Sequence, residues 1–183
     1  MENIKNITIE TEHLFLVPTT KAYVIEIFNE FNEEVTKDMR FAPSKNIEET
    51  EKNLQEAIQK MNDGVVKDFI GLDKATKEFI WRITLTNIHT LTPIIGLRVK
   101  TESQGKWYGK EMVRATIDWA QNNIDFEYIT YKVNSKNFRS IKVIERMGGV
   151  IVCDEQWNPV LKKRSTIGKN TEQYEFTYRI FKK

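Results

Sequence analysis

The spacing of apolar residues changes several times along the chain, and each change predicts an element. From Ile4 to Val17 the alternation of Ile7, Ile9, Leu14 and Leu16 predicts a strand or a pair of short strands closed by Pro18. In TKAYVIEIFNEF, Val24, Ile25, Ile27, Phe28 and Phe31 fall on one broad helical face, and the Thr pair before it offers a capping hydroxyl. Pro43 interrupts the next segment. Asn46 followed by Glu49 then resembles a capping box and predicts a helix over about 47–61, with Glu48, Glu51, Lys52 and Glu56 solvated and Asp63-Gly64 at its end. From Val65 the period shifts again. VVKDFIGL and FIWRITLTNI, joined by DKATKE, predict an antiparallel hairpin, and IIGLRVK a further strand.

Helical spacing resumes in KEMVRATIDWAQNN through Met112, Val113, Ile117 and Ala120. YITYKVN then reads as a strand. NFRSIKVIERM reads as a helix with Phe138, Ile141, Ile144 and Met147 inward, stopped by Gly148-Gly149. VIVC begins another strand, and QYEFTYRIF closes the chain with Tyr174, Phe176, Tyr178 and Ile180 alternating as in a half-buried strand. The expectation is an α/β (α+β) protein with a mixed, mostly antiparallel sheet of about seven strands flanked by helices. Repeats, low-complexity tracts and linkers are absent, so residues 1–183 read as a single domain.

Composition narrows the function classes. The 183 residues carry 28 Lys and Arg against 26 Asp and Glu, a net charge of +2, weaker than the usual footprint of a nucleic-acid binder. The basic triplet Lys162, Lys163 and Arg164 has no interleaved aromatics and reads as solvent-facing. Cys153 is the only cysteine, which excludes an intramolecular disulfide, and its apolar VIVC setting reads as buried and inert rather than nucleophilic. MENIKNITIE lacks the pattern of a signal peptide, and no apolar run reaches the length of a membrane span, so the expected compartment is the cytoplasm, with the Asn6-Ile7-Thr8 sequon idle. His13 and His89 lie far apart, without a Cys or carboxylate cluster, and suggest no metal. Trp81, Trp119 and Trp157 read as packing residues.

The stretch ESQGKWYG, between the IIGLRVK strand and the next helix, is the candidate chemistry. A glycine-containing turn that feeds a helix points free N–H groups and the positive end of the helix dipole at one spot, which suits a phosphate. Lys106 and Lys110 add charge there, while Gly105 and Gly109 permit close backbone approach. The P-loop and G-x-G-x-x-G patterns both fail in this chain, which argues against kinases and Rossmann dehydrogenases.

The order of elements and three motifs resemble the GNAT superfamily of acyl-coenzyme A-dependent N-acetyltransferases, above all the branch acting on ribosomal-protein amino termini (RimJ/RimL-like). Gln104-Gly105-Lys106-Trp107-Tyr108-Gly109 is similar to the family's Q/R-x-x-G-x-G/A loop, with Trp107 in place of a glycine. Asn137-Phe138-Arg139-Ser140 followed by Arg146-Met147-Gly148 resembles its second motif, and DMRFAPSKNIEET the loop between its first helices. The resemblance implies acetyl transfer from acetyl-CoA to a primary amine, a peptide amino terminus or a small amine, by direct attack. It implies that backbone groups of Leu97, Arg98 and Val99 bind the cofactor arm and that residues 104 to 110 cradle its pyrophosphate. Asn137 would touch the arm, and Ser140 would donate a proton to the departing thiolate; both also suit plain helix capping. No metal, nucleic acid or membrane is implied, and the protein is expected as a monomer or homodimer.

Two departures stand out. Ile144 occupies the position where many members carry an acidic Tyr, and IIGLRVK lacks the carboxylate with which lysine and alkyl-amine acetylating relatives take a proton, leaving Asp154, Glu155 or a water chain as alternatives. An α-amine titrates about 2.5 units below a lysine, worth about 3.5 kcal/mol, so a site without a dedicated base suits an amino terminus better than a lysine. A catalytically impaired acyl-CoA-binding regulatory module is the alternative that Ile144 and Trp107 raise. The loop is expected to work with the Trp107 indole leaning outward, so that the backbone can approach the pyrophosphate, while a positive φ at this bulky residue would be strained.

Overall fold

The computed structural model of the protein describes residues 7–36, 42–103, 105–152 and 175–182. Ile4, Gln104, Cys153, Asp154, Glu155, Trp157, Lys162, Lys163, Arg164 and Tyr174 lie outside the described residues. The strands are β1 (Ile9–Glu10), β2 (Leu14–Pro18), β3 (Val66–Asp73), β4 (Phe79–Thr86), β5 (Ile94–Leu97), β6 (Tyr128–Asn134), β7 (Val150–Ile151) and β8 (Glu175–Phe181). The helices are α1 (Val24–Glu30), α2 (Glu33–Thr36), α3 (Ile47–Asn62), α4 (Tyr108–Asn123) and α5 (Phe138–Arg146). The strands form one sheet in the order β1-β2-β3-β4-β5-β6-β8-β7. The amino-terminal stretch resolves into the pair of short strands, which brings the total among the described residues to eight rather than about seven.

Every neighbouring pair in the sheet is antiparallel except β5 and β6, which run parallel and match only at Ile94 with Thr130 and Ile95 with Tyr131. Beyond that contact β5 stays with β4 while β6 continues with β8, so the sheet opens as a wedge. One apolar core packs α4 and α5 against the sheet through Met112, Val113, Ile117, Ala120 and Ile144; a second packs α1 and α3 through Ile27, Leu54, Ile70 and Trp81. A bulge opposite Gly71 and Leu72 lets β4 serve both cores, sending Ile80 to the first and Phe79 and Trp81 to the second.

The Asn46 cap forms as expected, accepting the Glu49 N–H at 2.9 Å, while the Glu49 carboxylate takes the N–H of Lys45 rather than that of Asn46. The threonine cap does not form. Thr20 makes no capping bond at the helical turn over 21–23, and the buried Thr19 hydroxyl donates instead to Asp68 at 2.9 Å. Two inward assignments are also corrected: Ile25 is 58% and Phe138 69% exposed. Steps of three residues fall about 60° short of a full turn, so Phe138 stands about 120° from the direction of buried Ile144, while Ile25, two residues before buried Ile27, stands about 160° from it and points away. Gly148, at φ 83°, ends α5 as the left-handed stop expected there.

Candidate active site

The 16-residue helix α4 begins directly below the wedge. Its first intrahelical bond runs from the Glu111 N–H to the Trp107 carbonyl at 3.0 Å, and among the described residues no side chain caps it. The N–H groups of Tyr108, Gly109 and Lys110 therefore emerge from the positive end of the helix. The turn into α4 is made at Gly105, with φ 82° and open space where a Cβ would stand. Trp107 itself has φ −73°, so the positive φ expected of it falls on Gly105 and no strain arises. Its indole is 57% exposed and leans outward onto the His13 ring, 5.3 Å between centroids. Glu111 holds His13 in place, accepting its backbone N–H at 2.8 Å and facing Nδ1 at 3.1 Å.

Gly109 serves a different purpose from Gly105. A Cβ there would meet Leu97 Cδ2 at 3.3 Å and Val99 Cγ2 at 3.4 Å, so the missing side chain lets α4 pack against the end of β5. Tyr108 is buried and donates its hydroxyl to Asp73 at 2.7 Å, tying the start of α4 to the β3–β4 turn. This bond, with burial and Asp73's charge, pushes the Tyr108 phenol up to about 12, while backbone N–H bonds, chiefly from Thr76, and the phenol bring the Asp73 carboxyl down to about 2. Lys106 and Lys110 are exposed at the mouth.

Of the three arm-binding residues, Arg98 turns the other way. Its N–H donates to the Arg82 carbonyl on β4 at 3.0 Å, so strand alternation directs the main-chain groups of Leu97 and Val99, not those of Arg98, toward the wedge. Asn137 caps α5, its side chain accepting the Ser140 N–H at 3.1 Å. The Ser140 hydroxyl lies near enough to the phenol of Tyr131, a residue not singled out from the sequence, to pull its pKa down, but burial outweighs this and raises it. Tyr131 lies opposite Ile95, at the apex of the wedge. The signal for it was present: in YITYKVN it shares the core face with Ile129 and Val133, and a buried phenol needs a partner. Ile144, at the tyrosine position of the resemblance, is fully buried apolar core.

On the opposite face of the sheet lies a second polar group. Asp68 is 1% exposed and receives Arg82 through Nε at 2.7 Å and Nη2, together with the Thr19 hydroxyl. Asp68 and Glu175 are the buried carboxylates among the described residues, and the ion pair occupies the first. Among the described residues no cluster of metal-binding side chains occurs, and no helix is long and apolar enough to cross a membrane.

A parallel pair that splays beside an uncapped helix N-terminus is the arrangement the acetyltransferase motifs anticipate. An Acetyltransferase (GNAT) domain profile matches residues 13–150. The chain belongs to the GNAT acetyltransferase family, and it is an enzyme of that acetyl-transferring class. Among solved structures it is similar to RimL, a ribosomal L7/L12 α-N-protein acetyltransferase in complex with coenzyme A, with a TM-score of 0.82 at 15% identity over 96% of this chain and 98% of that one. It is also similar to a spermidine N-acetyltransferase from Vibrio cholerae in complex with CoA and spermine, with a TM-score of 0.79 at 16% identity over 94% and 97%. The ribosomal-protein-S5-alanine acetyltransferase from Vibrio fischeri scores 0.74 at 20% identity, with 97% of each chain covered. No curated protein sequence gives a significant match.

Proposed function

We propose that this acetyltransferase moves an acetyl group from acetyl-CoA to an amine of low pKa, foremost a protein amino terminus, by direct attack. The observation that carries the reading is the β5–β6 wedge standing over the uncapped start of α4. When bound, acetyl-CoA supplies the activated acyl carbon, and the reaction exchanges its C–S bond for a C–N bond.

The residues present fit such a ligand. Main-chain groups of Leu97 and Val99 continue the edge that β6 leaves, and N–H groups around Gly105 to Lys110 face the region suited to a pyrophosphate. Tyr131 and Ser140 form a hydroxyl pair at the wedge apex. Because burial raises the Tyr131 pKa, the phenol stays protonated at neutral pH and can pass a proton through Ser140 to a departing thiolate. That pair replaces the hydroxyl that Ile144 lacks. The amine's own proton goes to water, which an acceptor of low pKa tolerates.

The test combines acetyl-CoA binding with turnover of amino-terminal peptides, polyamines and aminoglycosides. Binding with turnover of α-amine peptides is expected. Absence of acetyl-CoA binding at millimolar concentration would end the reading, and binding without turnover on any acceptor would favour a regulatory acyl-CoA module, the alternative to which fully buried Ile144 lends weight.

A further inference from the structure

Arg82 and Arg98 stand side by side across the β4–β5 pair, joined by the main-chain bond between them. Like charges in this relation repel and need a shared counter-ion. Asp68 is bonded to Arg82 alone: Arg82 engages both of its oxygens, Thr19 adds a bond to Oδ1, and Arg98 feels the carboxylate only as a more distant attractive charge. Arg98 is left partly buried, with no ion pair to any described residue, its guanidinium 5.1 Å from the centre of the Phe31 ring. Burial and then the charge of Arg82 bring its pKa down to about 10, so it remains a cation at neutral pH. Against the same Phe31 ring lies Trp81, 6.4 Å away and 1% exposed, whose indole N–H has no hydrogen-bond partner among the described residues.

A buried indole N–H without a partner is costly, while the half-buried Arg98 guanidinium, set over a ring face and bonded to no described carboxylate, keeps donors available to a ligand. Resting on the acetyltransferase reading, we propose that Arg98, beside the Phe31 ring, binds a carboxylate of the acceptor, making the substrate an amine that carries an acidic group, such as a peptide with Asp or Glu next to its amino terminus. The position supports the acceptor rather than the cofactor. Leu97 and Val99 send their side chains to the α4 face, where the phosphate region lies, whereas Arg98, three residues beyond the last β5–β6 partner Ile95, alternates to the α1 and α3 face. The same unpaired cation repels a polyamine, which sets the site apart from one suited to spermine.

The experiment measures kcat/KM at saturating acetyl-CoA for matched peptides with Asp, Asn or Lys after the amino-terminal residue, and for spermine, with the protein and with Arg98→Gln. The Asp peptide is expected to exceed the Asn peptide at least tenfold, with Lys and spermine lowest, and the ratio is expected to fall to near one in R98Q. Equal rates for Asp and Asn peptides, faster turnover of spermine, or a preference that survives R98Q would overturn the proposal. If R98Q does not fold, the ratio in the unaltered protein decides. Calorimetric binding of the N-acetylated Asp peptide with CoA present covers the case of no turnover: selective binding of the Asp over the Asn product supports the site, and no selectivity overturns it. Failure to bind acetyl-CoA at all would instead remove the underlying reading.

Discussion

Tyr131 and Ser140 come from different elements, and the value of each hydroxyl depends on the other. Removing the phenolic oxygen by Tyr131→Phe keeps the ring in its apolar setting, so folding is expected to persist while kcat falls at least tenfold and acetyl-CoA affinity changes much less. Ser140→Ala should do the same, and the double variant should be little worse than either, because groups acting as one unit are not additive. Rate constants and separately measured binding constants for the three variants check this; an unchanged kcat in both single variants would leave the pair as packing. Trp107 yields a different expectation. Its φ of −73° suits any residue, so Trp107→Gly relieves nothing, and the added backbone freedom lowers stability by about 0.5–1 kcal/mol. Titration calorimetry should find acetyl-CoA binding equal or weaker in W107G, and tighter binding would contradict the outward-leaning geometry.

Among elements, the junction that matters most is the start of α4, which Tyr108 fastens to the β3–β4 turn through Asp73. Asp73 titrates near 2 in the folded chain, below its ordinary value of 3.8, so its contribution to stability is complete above about 3.8 and is lost as the pH falls through about 2. Tyr108 has the opposite sign. Its pKa is raised from 10 to about 12, so its contribution holds below 10 and is lost as the pH rises toward 12. Tyr108→Phe should therefore reduce stability at neutral pH and weaken the dependence at both extremes. Urea midpoints measured from pH 2 to 5 and from pH 9 to 12 check this, and identical profiles for Y108F and the unaltered protein would exclude the bond as an anchor.

For the molecule as a whole, a ligand confined to the folded state stabilises by mass action, about 2.7 kcal/mol at a hundred times its Kd. In a chain of this size that corresponds to a rise in Tm of roughly 5–10 °C. Acetyl-CoA should give such a shift, and pantetheine or adenosine fragments lacking the pyrophosphate much less, if the open end of α4 supplies the main anchor. The two faces of the sheet divide the labour in this reading. The α4 face carries the exposed N–H groups and lysines, while the α1 and α3 face carries the arginine pair, so the two substrates approach the wedge from opposite sides.

Local spacing was enough to locate α3, α4, β6 and β8, because each has a period that only one backbone geometry can bury; the Asn46 side chain opened α3, and Gly148, free to take a positive φ, closed α5. The loop from Gly105 to Gly109 was also legible, since a glycine turn before an amphipathic helix is a local pattern. Periodicity reports an average face, however, and so it misjudged Ile25 and Phe138, whose angular offsets place them outside stripes only one or two residues wide. It could not foresee Tyr131 against Ser140 or Arg82 beside Arg98. Those pairs depend on register, on the bulge at Gly71 and on where β6 parts from β5, all set by long-range packing. The sequence alone determined the elements and the family's loop; only the tertiary structure decided which hydroxyl sits at the wedge and which cation has no ion pair among the described residues, because both depend on residues far apart in the chain.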